Sequence, residues 1–301
     1  MASRELIFDE FLKRVCPARE LDWRKYRRAS RRNVLSRIYQ LGLGGFSEYA
    51  DYIDANPLEA AFLPNVLRVT VSRFFREKEV WDHLASDILP AMAGAHSASR
   101  PLHVLHTGCC NGEEPYSLAL LWKNEIEPVF PKAGISITAL DIDQACLDRA
   151  RKGWYPRKTL REVPRELQKN WFEPEADGYR LHQEIRSMVN FRKFDLLKND
   201  LPREQDMVFC RYLVFTYFQG KRRREMARKI SECINPGGLL ILGRKESIEP
   251  QEQDLFTPFH QNLKVYRSGC KYLDPEAHYA LHDKDDLSER SKRRRLEGLP
   301  E

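Results

Sequence analysis

Leu102-His103-Val104-Leu105-His106-Thr107-Gly108-Cys109-Cys110-Asn111-Gly112-Glu113-Glu114-Pro115-Tyr116-Ser117 reads as a strand, a turn and the start of a helix. Leu102–Thr107 is strand-like, a six-residue stretch with Leu102, Val104 and Leu105 apolar. Gly108–Gly112 predicts a tight turn, because glycine accepts left-handed backbone without a steric penalty. The spacing predicts a helix over Glu114–Glu125, with Leu118, Leu121 and Trp122 on one face. Pro115 falls in its first turn, where a missing N–H costs nothing. Strand, glycine turn and helix in that order open a βαβ unit.

The pattern repeats downstream. Ile135–Leu140 is strand-like and ends at Asp141, and Gln144–Lys152 follows as a helix. Val189–Phe194 ends at Asp195, and Asp206–Arg211 is a fourth strand. Lys221–Ile234 is an amphipathic helix, with Met226, Ile230, Cys233 and Ile234 on one face. Asn235-Pro236-Gly237-Gly238 stops it, and Leu239–Leu242 is a strand apolar on both faces. This alternation predicts an α/β fold, a parallel sheet with helices on both faces.

Upstream, residues 1–67 read as a basic helical domain. A helix over Leu21–Leu43 carries Arg24, Lys25, Arg27, Arg28, Arg31, Arg32 and Arg37, with no acid between Arg24 and Arg37. Such a face is either simply solvated or a docking surface for an acidic partner, protein or nucleic acid. A shorter helix spans Phe46–Asn56, and Asn56-Pro57 breaks it. Residues 68–272 form the sheet domain. Residues 273–301 form a polar tail expected to be disordered. Its Lys292-Arg293-Arg294-Arg295 string fits a nuclear-localisation signal and equally an ordinary charged terminus.

Composition removes several classes. The 301 residues carry 50 Lys+Arg against 44 Asp+Glu, a net charge of +6, and are 42% hydrophobic. No apolar run approaches the ~20 residues needed to cross a bilayer. The first twenty residues lack the apolar core of a secretory signal. Seven cysteines, an odd number without a CxxC pair, predict neither a disulfide scaffold nor a zinc site. They suit a reducing compartment, so the expected location is the cytoplasm. The vicinal Cys109–Cys110 pair reads as packing, with a redox switch as the lesser alternative.

In an open parallel sheet, ligands sit beyond the carboxyl ends of the strands. Gly108–Glu114, Asp141, Asp195 and Arg211–Tyr217 fall there. A diphosphate calls for GxGxxG or a lysine-bearing GxxxxGK[ST] loop. This loop has no lysine and two carboxylates, which repel phosphate and argue against a dehydrogenase. S-adenosylmethionine has an ammonium, a sulfonium, a ribose diol and an adenine, and no phosphate. Glu113 suits its ammonium, Asp141 its ribose hydroxyls, and Asp195 with Leu196 its adenine.

Four strings together resemble the CheR family: Thr70-Val71-Ser72-Arg73-Phe74-Phe75-Arg76-Glu77, Gly112-Glu113-Glu114-Pro115-Tyr116-Ser117, Asp141-Ile142-Asp143 and Phe209-Cys210-Arg211. The resemblance runs from about Arg24 to Tyr266. It implies an S-adenosylmethionine-dependent methyltransferase of the kind that esterifies receptor glutamates. It also implies a Rossmann-like class I methyltransferase sheet, a small helical N-terminal domain and a β insertion at about residues 171–191. A hairpin is expected there at Gly178–Leu181. The resemblance further implies that Ser72 and Arg76 face the methyl-transfer centre, with Arg76 orienting the acceptor. Gly108 and Gly112 shape the cofactor turn. The backbone of Arg211 and Tyr212 flanks the sulfonium, and Tyr217 lies over the active site. No metal is implied.

Several residues depart from the family pattern. Tyr212 stands where the family usually has asparagine, and Tyr217 lies one residue further from Cys210. Gly243-Arg244-Lys245-Glu246 replaces Gly-His-Ser-Glu, and Cys109-Cys110-Asn111 replaces small residues. Ser72-Arg73-Phe74-Phe75 and Phe215-Thr216-Tyr217-Phe218 resemble a divergent branch of the family found outside chemotaxis operons.

The reading is therefore O-methylation of a protein carboxylate by in-line displacement. With a pKa of about 4.3, a glutamate acceptor is already ionised and needs no general base. The work is alignment and removal of water. Two alternatives stay open. One is a methyltransferase of a small molecule or RNA, favoured by Arg24–Arg37 and Lys221-Arg222-Arg223-Arg224. The other is a non-catalytic module that binds S-adenosylmethionine.

Overall fold

The structure, a computed structural model, describes residues 6–16, 27–67, 72–95 and 100–269. Arg24, Lys25, the tail from 273 and its Lys292–Arg295 string lie outside the described residues. Among the described residues no helix is long and apolar enough to cross a membrane.

Four helices come first: α1 (Phe8–Val15), α2 (Arg27–Gln40), α3 (Phe46–Ala55) and α4 (Pro57–Leu67). They bury their own core, in which Phe11, Val34, Tyr49, Ala50 and Leu67 are almost wholly enclosed. α4 begins at Pro57 itself, a position where the fixed φ of proline favours helix. Buried Glu59 on α4 accepts hydrogen bonds from Tyr49 Oη (2.7 Å) and from Arg37 Nε (2.9 Å) and Nη2 (2.6 Å). One arginine of the basic helix is thus spent on the bundle, while Arg28, Arg31 and Arg32 are exposed.

Helix α5 (Lys78–His83), a π-turn over Leu84–Ile88 and α6 (Leu89–Ala95) lead to the sheet. Strand β1 (Leu102–Thr107), helix α7 (Glu113–Leu121), strand β2 (Ile135–Asp141) and helix α8 (Gln144–Lys152) follow. Next come β3 (Trp154–Pro156), α9 (Arg165–Trp171), β4 (Phe172–Glu175), β5 (Gly178–Leu181) and α10 (Gln183–Ser187). The chain ends its described course with β6 (Val189–Lys193), β7 (Gln205–Phe209), α11 (Val214–Tyr217), α12 (Gly220–Cys233), β8 (Ile234–Ile241), β9 (Phe256–His260) and β10 (Val265–Ser268).

The main sheet has the order β6-β2-β1-β7-β8-β10-β9. Its first five strands are parallel, and β10 is antiparallel to both neighbours. Side chains alternate between two buried layers. Val104, Ile137, Met207, Phe209 and Ile241 enter one; Leu105, Leu140, Val208 and Leu240 enter the other. Strand order reverses at β1, between β2 and β7, which places a ligand crevice beyond these three strands.

Two expectations are corrected. The sheet is not wholly parallel, because β9 and β10 add an antiparallel edge. The β insertion is a three-stranded antiparallel sheet, β3-β5-β4, running from Trp154 to Leu181 rather than over about 171–191. Residues 189–191 belong to the main sheet. The stop expected at Asn235–Gly238 holds, since α12 ends at Cys233, and the same four residues lie in β8, where pairing with β7 shifts register between Gln205 and Met207.

The basic run on α12 is largely consumed by the fold. Arg223 is buried against Glu252 (Nε–Oε1 2.7 Å), and Arg224 pairs with Asp254 (2.5 Å).

Candidate active site

Loops after β1, β2, β6, β7 and β8 converge beyond the carboxyl ends of the parallel strands, and the segment Ser72–Glu77 folds over them. Six non-glycine residues with left-handed φ occur among the described residues, and four of them lie here: Phe75, Glu77, Cys110 and Tyr212. Such backbone costs about 1–3 kcal/mol per residue and persists where surrounding contacts impose it.

The turn after β1 has Gly108 at φ +70° and Gly112 at φ +86°. A Cβ on Gly112 would meet Ala150 Cβ and Phe191 Cζ at 2.9 Å. Gly112→Ala is therefore expected to destabilise the protein by about 2–4 kcal/mol, from strained backbone and overpacking together. Urea unfolding checks it, and a loss under 0.5 kcal/mol, the usual scale of a neutral surface change, contradicts it.

Asp141 ends β2 and anchors this turn. Its Oδ2 accepts the Cys110 N–H at 2.8 Å, and its Oδ1 accepts the Asp143 N–H at 2.9 Å. Two backbone donors thus fix the carboxylate plane. The Phe194 N–H donates to the Asp141 carbonyl at 2.8 Å, which sets Asp195 beside it. Asp195 Oδ1 accepts the Leu197 N–H at 3.0 Å, and Leu196 packs on the second apolar layer.

Glu113 opens α7 and is 3% exposed. Burial pushes its carboxyl above the ordinary range; its own N–H, Ser72, Asn111 and Arg149 act against that. Its Oε2 is buried without a hydrogen-bond partner. A buried carboxylate oxygen without a donor is costly unless a ligand supplies one. This is the feature a cationic ligand group fits. Asn111 is held by Arg149 Nε (2.8 Å) and by the phenol of Tyr155 from the β insertion (2.7 Å).

Glu114, the next residue, points another way. Its Oε2 accepts Arg211 Nη1 at 2.8 Å, and its Oε1 lies 3.0 Å from His106 Nδ1. Burial lowers the proton affinity of His106, and its carboxylate partner can only accept, so the neutral ring carries its proton on Nδ1. Arg211 also donates through Nη2 to Glu77 Oε2 (2.7 Å) and to the Arg76 carbonyl (2.8 Å). Ser117 ties the same loop to α7, accepting the Phe75 N–H at 2.9 Å and donating to the Glu113 carbonyl at 2.7 Å. Phe74 packs edge-on against Tyr155 and Phe172 of the insertion.

The expected residues are thus brought together in three linked groups: Ser72 with Glu113, Asp141 with Asp195 and Leu196, and Arg76 with Arg211 and Tyr212. Tyr217 is placed differently: it is buried with Leu105, Leu140 and Val208 in the second apolar layer. Sequence reasoning gave no role to Glu77, Glu114, His106 or Glu246. Glu77 and Glu114 stand inside the family-like strings and Glu246 inside Gly243–Glu246, and no local signal marks which carboxylate becomes buried.

Residues 70–265 match the CheR methyltransferase SAM-binding domain. The chain belongs to the CheR methyltransferase family. This member is 34% identical to chemotaxis protein methyltransferase 2 of Pseudomonas aeruginosa, over 74% of this chain and 77% of that one. It is 30% identical to chemotaxis protein methyltransferase 2 of Vibrio cholerae, over 81% and 84%. It is 27% identical to the chemotaxis protein methyltransferase of Borreliella burgdorferi, over 69% and 75%. As a CheR-type enzyme it uses S-adenosylmethionine to transfer a methyl group. The unpartnered Glu113 oxygen and the glycine turn fit that cofactor.

Proposed function

We propose that this chain O-methylates carboxylate side chains, glutamates above all, of an acidic protein. The carrying observation is the cationic Arg76, whose guanidinium carbon sits 4.0 Å over the ring of Tyr212. Around it, Glu77, Glu114 and Glu246 are committed to Arg211, His106, Tyr212 and Gly243 donors. The site offers a cation for an anionic acceptor and holds its own carboxylates away from proton transfer. An ionised acceptor needs no base. The names of the relatives, chemotaxis protein methyltransferases, support a protein substrate.

When bound, S-adenosylmethionine supplies a methyl group activated by its sulfonium. In this reading Glu113, assisted by Ser72, holds the ammonium of the cofactor and Asp141 its ribose. Asp195 and Leu196 border the adenine, and the backbone of Arg211 and Tyr212 flanks the sulfur. Gly108 and Gly112 let the backbone approach. Arg76 binds one acceptor oxygen and leaves the other to react. That contact has to be partial, since binding acceptor and transition state equally well does not raise turnover.

The acceptor docks on α2. Arg28, Arg31 and Arg32 are exposed there, and Leu35 and Tyr39 on the same helix are exposed apolar groups. An acidic protein segment matches that mixture. Lys221–Arg224 no longer favours RNA, because Arg223 and Arg224 are paired. The six described cysteines are free thiols, which suits a cytoplasmic enzyme.

The test incubates the protein with methyl-tritiated cofactor and a glutamate-rich peptide. Base-labile label on the peptide is the expected result; base-stable label or none counts against an ester. Arg76→Ala should lower turnover about 100-fold, the scale of one lost transition-state contact, with S-adenosylhomocysteine affinity changed under threefold. Equal losses in both quantities remove Arg76 from this role.

A further inference from the structure

We propose that Tyr212 is a positioning residue for Arg76: its ring is a fixed platform that sets the plane of the guanidinium toward the acceptor. The inference rests on the role given to Arg76 above. Tyr212 is held at four points. Its backbone takes a left-handed φ of 57°. Its N–H donates to Glu246 Oε2 at 2.7 Å. Its hydroxyl donates to Glu77 Oε1. Its ring fills the space above Gly243, where a Cβ would lie 2.6 Å from Tyr212 Cε2. Glu246 binds the Gly243 N–H as well (2.8 Å), and Glu77 binds the Arg244 N–H (3.0 Å). Both carboxylates therefore join the loop after β7 to the loop after β8. The phenyl face between them is where Arg76 stacks.

A planar guanidinium on a fixed ring presents its donor fork in one direction, whereas a lysine ammonium has neither the plane nor the fork. An asparagine at 212, the usual family residue, tolerates the left-handed backbone but offers no ring. The departure from the family's usual asparagine thus supplies an acceptor-side support.

Two measurements on the full chain test this. The first is the rate at which phenylglyoxal modifies Arg76, followed by peptide mass spectrometry. Tyr212→Asn should raise that rate about tenfold, the scale of a lost cation–π contact, and Tyr212→Phe should leave it within about twofold. Equal Arg76 reactivity in the wild type and Tyr212→Asn overturns the proposal. The second is turnover with methyl-tritiated cofactor and a poly-glutamate peptide. Tyr212→Asn should lower kcat about tenfold, and Arg76→Lys should not rescue. In the Arg76→Lys background the Asn substitution should add less than about twofold, because the two residues act as one unit. Multiplying losses also overturn the proposal. A wild type that leaves the peptide unlabelled rejects the carboxylate reading, while the labelling rates still decide the platform.

Discussion

Arg211→Met will lower folding stability by about 3–5 kcal/mol at neutral pH, the range found when one partner of a buried ion pair is removed. The Arg211 side chain is 2% exposed and makes three charge-assisted or carbonyl bonds, to Glu114, Glu77 and the Arg76 carbonyl. Methionine fills a similar volume but leaves two neighbouring carboxylates without their shared cation. Burial pushes both Glu77 and Glu114 up, yet Arg211 and their other donors outweigh it and hold both below the ordinary carboxylate value. Groups held low stabilise the fold above that ordinary value and cease to do so as pH falls through their folded values. In the variant the same carboxyls move up instead and are relieved by protonation. The deficit should therefore be largest near pH 7, begin to shrink as pH falls toward 4.5, the ordinary glutamate value, and go on shrinking below it. Urea unfolding across pH 4 to 8 measures it. A deficit under ~1 kcal/mol, typical of an exposed pair, or one that does not vary with pH, removes Arg211 as the centre of the network. Arg211→Lys should recover less than half, because one ammonium cannot span both carboxylates.

That network also marks the boundary of what the sequence discloses. β1, the glycine turn and α7 are legible because glycine, proline and an apolar run act within a few residues of one another. α8 is legible for the same reason, with Asp143 capping it through the Ala145 and Cys146 N–H groups. β9 is not, since Phe-Thr-Pro-Phe-His has neither alternation nor an apolar run, and Pro258 is tolerated because this is an edge strand. β3, at three residues, is too short for any period. At the site, the strings pointed to Ser72, Arg76, Glu113 and Asp141. They gave Glu113 the cofactor contact and left Glu114 without a partner. Consecutive helical residues diverge by about 100°, so one carboxylate meets Ser72 and Asn111 and the other meets Arg211. Which is which depends on Arg211, 97 residues away, and Glu77 depends on the same arginine across 134 residues. Pairings of that range leave no periodic trace.

Glu113→Gln will lower affinity for S-adenosylhomocysteine about 30- to 300-fold at pH 7.5, as expected when a buried carboxylate bound to a cation is replaced by an amide. The pH dependence separates this from a general loss of packing. In the free protein, burial holds the Glu113 carboxyl above its ordinary value of 4.5, so it keeps its proton further toward neutrality than an exposed glutamate. The ligand ammonium requires the ionised form. Binding therefore releases a proton where the carboxyl is still protonated, and affinity rises with pH until that group is fully ionised. Folding stability of the free protein has the opposite sign. A carboxyl held high contributes fully below the ordinary value, and that contribution is lost as pH rises through the folded value. Glu246 is also held high by burial, so the difference between wild type and Glu113→Gln isolates the share of Glu113. Calorimetry in buffers of different ionisation enthalpy counts the protons directly. The wild type should release a proton in mildly acidic buffer, and the glutamine variant should release none and show a flatter affinity profile. Parallel profiles for the two proteins would mean that the unpartnered Glu113 oxygen does not meet the cofactor's ammonium.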